Sequence, residues 1–175
     1  STETIGGISG GGTAVLTVAF GGTNLATLTA ASFSHSATNG TILVNGVNLG
    51  KNDTGITSVG KIILTAPPTL TGTSNALPSG VNSGVTDTRI VPFLLGESTG
   101  GLGTATGTAN TFVTYAAGSG LRPLDPTSEF ANNVVTVAQN TYIAANTTSS
   151  ATVPINSLVI NGGNTPNVYN VQSTA

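Results

Sequence analysis

Cysteine is absent from this chain, and so are methionine and tryptophan. Without cysteine there are no disulfide staples and no thiolate metal sites. The absence also suits an exposed protein of a bacterium, where an unpaired thiol is a liability. Charge is almost missing: 6% of residues are Asp, Glu, Lys or Arg, against about a quarter in an ordinary soluble domain. A single histidine joins four basic and six acidic residues. Most catalytic and metal chemistry draws on clustered ionisable groups. The scarcity therefore argues against an enzyme and against any cofactor. The four cations, Lys51, Lys61, Arg89 and Arg122, are far apart, and the net charge is −2. Neither nucleic acid nor an anionic membrane is an expected partner. No apolar run approaches the roughly 18 residues of a membrane helix, so no membrane insertion is expected within the chain. With no Met present, Ser1 is expected to be a processed terminus or a point inside a longer polypeptide.

Gly, Thr, Ser, Asn, Ala and Val fill the space that charge leaves, and mean hydropathy is slightly positive at +0.25. Twenty-four glycines and eight prolines leave few windows long enough for a helix. Strand signals recur instead. Ala14 to Phe20, Leu25 to Ala30, Thr41 to Val44, Val47 to Leu49 and Lys61 to Thr65 are apolar or β-branched runs between Gly and Asn. Arg89 to Leu95, Thr111 to Tyr115, Val134 to Val137 and Ser157 to Ile160 follow. The Asn-Gly pairs at 39–40, 45–46 and 161–162 suit left-handed turn positions. Many strands lack the in/out alternation of a half-solvated antiparallel sheet. The reading is all-β: a parallel β-helix or solenoid with irregular coils. An antiparallel β-sandwich of pilin type is the alternative. Residues 1–175 read as one domain, with 87–132 as a loop or hairpin excursion from the coils.

That excursion carries a family resemblance. It contains Pro92, Phe112 to Tyr115, Gly120 to Leu124 and Glu129-Phe130. The block resembles a "P…FVTY…GLRPL…EY" segment of autotransporter-associated β-strand proteins of bacterial surfaces. The flanks TETIGGISGGGTAVLTV and NSLVINGG are similar to the rungs of that family. The resemblance implies a right-handed parallel β-helix passenger region, secreted or displayed on a Gram-negative-type cell. It carries no catalytic residues.

Individual residues point the same way. Asp125-Pro126-Thr127-Ser128-Glu129 is an N-cap pattern with Pro at the first helical position, and one helical turn is expected there. Asp125 and Glu129 are expected to face Arg122 across that turn and pin the loop. Asp87 and Arg89, two apart in one strand, are expected to share a face. His35 has no second histidine to work with and reads as structural. Thr27 and Thr29 form a T-x-T pair with no visible recurrence at coil spacing. The chain opens with Thr4 and Ile5 and closes around Val168, Tyr169 and Val171, with no obvious cap at either end. Exposed strand edges invite pairing. The functional expectation is therefore a structural protein, secreted or on the cell surface, that associates with copies of itself through these terminal strands. An adhesin that binds surface glycan, with Tyr115, Tyr142 and Tyr169 as contacts, is the alternative.

Overall fold

In the computed structural model the short apolar runs become strands, and no helix occurs among the described residues. The structure describes residues 1–19, 25–35, 40–51, 58–72, 84–97, 111–149, 152–161 and 171–173. The first seven strands are β1 (Thr2–Ile5), β2 (Ile8–Gly10), β3 (Ala14–Val18), β4 (Ala26–Ala30), β5 (Phe33–His35), β6 (Ile42–Gly46) and β7 (Gly60–Leu64). The middle of the chain supplies β8 (Leu94–Gly96), β9 (Thr111–Ala116), β10 (Gly120–Pro123) and β11 (Ala131–Asn132). The last four are β12 (Asn140–Ile143), β13 (Thr147–Ser149), β14 (Ser157–Ile160) and β15 (Val171–Ser173).

Pairing in the first half follows chain order. β1 pairs in parallel with β4, with Thr2 opposite Thr27. β2 pairs in parallel with β5 at the same offset along the chain, with Ile8 opposite Phe33. β3 pairs in parallel with β6 at a slightly longer offset, with Ala14 opposite Ile42. β7 then extends the first ladder through β4, and β8 extends the third through β6. The same habit returns after Phe130. β11, β12 and β14 form one parallel ladder, and β13 pairs in parallel with β15. The antiparallel strand pairs among the described residues are β8 with β9 and β9 with β10. Most pairing is thus parallel, unlike the antiparallel sandwich kept as the alternative. The ladders have unequal lengths, and none closes on itself.

The register puts like on like. Ala30 lies between Ile5 and Leu64, and Leu28 stands opposite Ile62. Val44 lies between Leu16 and Gly96. Phe33 stands opposite Ile8. Ala30, Phe33, Val44, Ile62 and Leu64 belong to one buried cluster, against which Ile8, Leu16 and Leu28 pack. Parallel stacking thus turns short apolar runs into continuous ladders of the core, each fully buried Leu or Ile contributing about 1.5–3 kcal/mol. A second, smaller cluster of Ile90, Leu124 and Phe130, with Phe112, Tyr142 and Val159 against it, lies under the C-terminal strands. Phe130 meets Tyr142 edge-on, with ring centroids 5.9 Å apart.

Residues 87–132 contain β8 to β11, and the β9–β10 hairpin is hydrogen-bonded into the five-stranded sheet β10-β9-β8-β6-β3. Four sequence readings differ from what is found here. Val47 to Leu49 form a turn rather than a strand, with Asn48 at φ 49°; Asn45 and Gly46 lie in β6 instead of at a left-handed turn. Val134 to Val137 form no strand: Asn133 and Ala138, on either side, have φ of 55° and 62°. Left-handed residues at both ends turn the run away from any ladder, and Val134 and Val137 stay exposed. Arg89 to Leu95 is a strand only at its end; Ile90 makes an isolated bridge to Thr71, and a turn at Pro92-Phe93 precedes β8.

The hairpin turn makes a test of local geometry. Gly118 and Gly120 both have positive φ, 85° and 78°. A Cβ on Gly118 meets nothing within 4 Å, whereas one on Gly120 runs into the Ile62 carbonyl. Gly118→Ala is expected to cost about 1–2 kcal/mol from conformation alone. Gly120→Ala is expected to cost about 2–4 kcal/mol, because steric overlap adds to it. Urea unfolding of the two variants checks the difference.

Candidate functional site

Two features stand out: a buried ionic lock inside the molecule and bare strand edges outside it. The lock begins on β10, which alternates between the two core clusters: Leu121 in the first, Leu124 just beyond its end in the second. Between them Arg122 is 1% exposed, and Glu129 is 0% exposed. Their side chains form a bidentate pair: Arg122 Nη1 donates to Glu129 Oε2 and Nη2 to Oε1, both at 2.7 Å. This parallel fork is the strong form of the Arg–carboxylate contact.

Asp125 contributes from within the turn, shaping the loop that brings Glu129 back to Arg122. Thr127 N donates to Asp125 Oδ1 at 2.9 Å, and the Ser128 hydroxyl donates to Oδ2 at 3.0 Å. Glu129 N donates to the Asp125 carbonyl at 2.9 Å, an i to i+4 bond that closes one helical turn. Glu129 Oε2 in return accepts from Asp125 N at 2.8 Å. The Asp125 side chain thus satisfies the Thr127 amide and the Glu129 carboxylate satisfies the Asp125 amide, a relative of the capping box with the carboxylate one position later.

The lock extends to residues that sequence reading passed over. The Thr88 hydroxyl donates to the Val85 carbonyl at 2.7 Å and lies 3.5 Å from Glu129 Oε1. Asn140, fully buried, donates from Nδ2 to the Thr88 carbonyl at 2.9 Å. Its Oδ1 accepts from Asn156 Nδ2 and Ser157 Oγ, each at 2.7 Å. The network therefore ties β10 and its turn to the 84–90 segment and to β12 and β14. Nothing in the sequence marks Asn140 among so many asparagines; only burial does. Asp87 and Arg89 flank Thr88 in the turn before Ile90, not in a strand.

Both oxygens of the Glu129 carboxylate are engaged by these contacts. His35 stacks on Phe93, with centroids 5.3 Å apart. Among the described residues no three His, Cys, Asp or Glu gather where a metal ion could be held. No helix among them is long and apolar enough to cross a membrane. Of the tyrosines named as sugar contacts, Tyr115 is buried, and its hydroxyl donates to the Leu64 carbonyl at 2.8 Å and accepts from Leu64 N at 3.2 Å. The Tyr142 hydroxyl accepts from Asn161 Nδ2 at 2.5 Å. Tyr169 lies outside the described residues.

The outer feature is the set of strands that end each ladder. Thr4 and Ile5 lie in β1, and Val171 lies in β15, both edge strands among the described residues. Val168 lies outside those residues. β2 and β3 are edges as well. Every residue of β1 is exposed, although β4 beneath it ends in the fully buried Ala30. Thr2 and Thr4 stand in register with Thr27 and Thr29, a recurrence between paired strands that the sequence reading missed. The next strand puts Lys61 and Ile63 at those positions, so the threonine array ends there. A further sequence signal bears on the edges: no Asp, Glu, Lys or Arg lies between Glu3 and Lys51, and none follows Glu129. Both ends of the chain are thus nearly free of the charges that usually guard exposed edges.

No family model, curated protein or solved structure matches the chain.

Because the ionic lock is buried, removing one partner leaves the other charge uncompensated. Glu129→Leu and Arg122→Met are each expected to cost about 3–5 kcal/mol, while the double variant, Arg122→Met with Glu129→Leu, costs less than the sum. A double-mutant cycle by urea denaturation checks this.

Proposed function

We propose that this chain is a non-enzymatic structural protein of a bacterial cell surface that associates with copies of itself through its unpaired terminal strands. The observation that carries the reading is the ordered parallel pairing of β1, β2 and β3 with β4, β5 and β6. A chain that lays three strands on three, in the same order and direction, builds by stacking. Each layer completes the hydrogen bonds of the one below and leaves its own outer side open. On this reading the finer architecture is a right-handed parallel β-helix with irregular coils, as the resemblance to autotransporter-associated β-strand proteins implies, and β1 to β3 form one of its coils.

Location outside the cell rests on composition. A chain without cysteine, poor in charge and rich in Thr, Asn and Gly relies on backbone pairing for cohesion, and a surface fibre or layer uses that cohesion directly. The ionic lock serves the same end, since it holds the hairpin and the C-terminal strands to the rest without a disulfide. The adhesin reading gains no support from the two described tyrosines, whose hydroxyls are engaged internally.

Sedimentation across a concentration series, with electron microscopy of the concentrated sample, tests the proposal. Mass is expected to grow with concentration, and filaments or sheets to appear. A monomer at every concentration would rule self-association out.

A further inference from the structure

Self-association leaves open which surfaces meet. On the premise of that reading, we infer that assembly is head-to-tail: the C-terminal strands β14 and β15 of one copy dock on the β1 to β3 edge of the next, with strands parallel.

The argument starts from apolar side chains that are covered on one side only. Ile5 is 45% exposed, although Ala30, its partner in the ladder, is 0% exposed. Val15 on β3 is 62% exposed. At the other end Ile160 is 53% exposed beside Ile143, which is 0% exposed. Leu158 is 37% exposed beside the fully buried Thr141. Each pair is a ladder of the sheet with its last rung uncovered. Among the described residues β14 thus has an unpaired main-chain edge, with apolar residues two apart, matching the spacing of side chains on one strand face.

Gly6 adds a second observation. It follows β1, its φ lies outside the positive range that calls for glycine, and a Cβ there meets nothing within 4 Å. Its carbonyl already accepts from Ala31 below. Nothing among the described residues requires glycine at this place, and glycine there costs conformational entropy. Close approach of another backbone from the open side supplies a reason.

Polarity follows from direction and charge. The edge strands at both ends sit in parallel ladders, and continuing both of them in parallel requires a head-to-tail repeat. Two N-terminal edges meeting about a two-fold axis would pair antiparallel and would bring two Glu3 carboxylates into one isologous interface. The C-terminal strands bring no charged side chain, since none follows Glu129.

Two blocked variants test this. Ile5→Lys with Val15→Lys blocks the N-terminal edge, and Leu158→Lys with Ile160→Lys blocks the C-terminal edge. All four positions are exposed, and circular dichroism checks that the β signal is kept; Val15→Lys and Ile160→Lys alone serve where a double variant loses it. By sedimentation each variant is expected to be monomeric alone, and their equimolar mixture to form a one-to-one dimer that grows no further. A mixture that stays monomeric, or a C-terminally blocked variant that dimerises with itself, overturns the head-to-tail pairing while leaving self-association standing. A monomeric unblocked chain at all concentrations overturns both.

Discussion

Main-chain pairing between strands that lie far apart in the sequence is the constraint on which the N-terminal half of this molecule depends. Parallel strands cannot be joined by a tight hairpin, so each link needs a long connection, and the chain spends that length on two further strands of its own. Side-chain packing is a consequence of this register. Once Thr2 is opposite Thr27, Ile5 must fall on Ala30, and the core grows along the ladders rather than between independently folded elements. The same constraint leaves an unfinished edge wherever a ladder stops, and the exposure of β1 against the burial of β4 records it.

The antiparallel turn at β8, β9 and β10 interrupts this pattern, and there the ionic lock is found. A bidentate arginine–carboxylate pair with almost no solvent exposure is costly to desolvate and sensitive to the loss of either member. Its setting offsets that cost through the further hydrogen bonds of Asp125 N, Thr88 and the Asn140 network. In a chain with so few charged residues, two of them are committed to this one buried contact. Through Asn140, whose Nδ2 donates to the Thr88 and Glu129 carbonyls, the network around this contact reaches the strands after Phe130, which share no ladder with the five-stranded sheet among the described residues. Pairing organises each half, and the lock connects them.

Much of this was legible in the residues, and the limits have physical causes. All-β character followed from Gly, Pro and β-branched content, and the runs at 14–18, 26–30, 42–46, 60–64, 111–116 and 157–160 appear as strands close to where the residues place them. The Asp125 turn was readable because capping chemistry is local. Register was not, since it depends on residues distant in the chain: Thr2 and Thr4 gave no sign of meeting Thr27 and Thr29 until paired. Val134 to Val137 looked like a strand, but the left-handed conformations at Asn133 and Ala138 override local propensity. Asn140 was invisible because its role comes from burial. The edge strands Thr4, Ile5 and Val171 were placed by their position in the chain. The exposure of β1, and the lack of charge around both ends, are what make them candidates for assembly.

The central claim is that backbone edges, not side-chain patches alone, carry association. Hydrogen exchange of individual backbone amides, measured in dilute and concentrated samples, tests it most directly. The account predicts that amides of β1 to β3 and β14 become protected as concentration rises, while those of β8 and β9, already inside the five-stranded sheet, do not change. Assembly with unchanged exchange at β1 and β14 would contradict it.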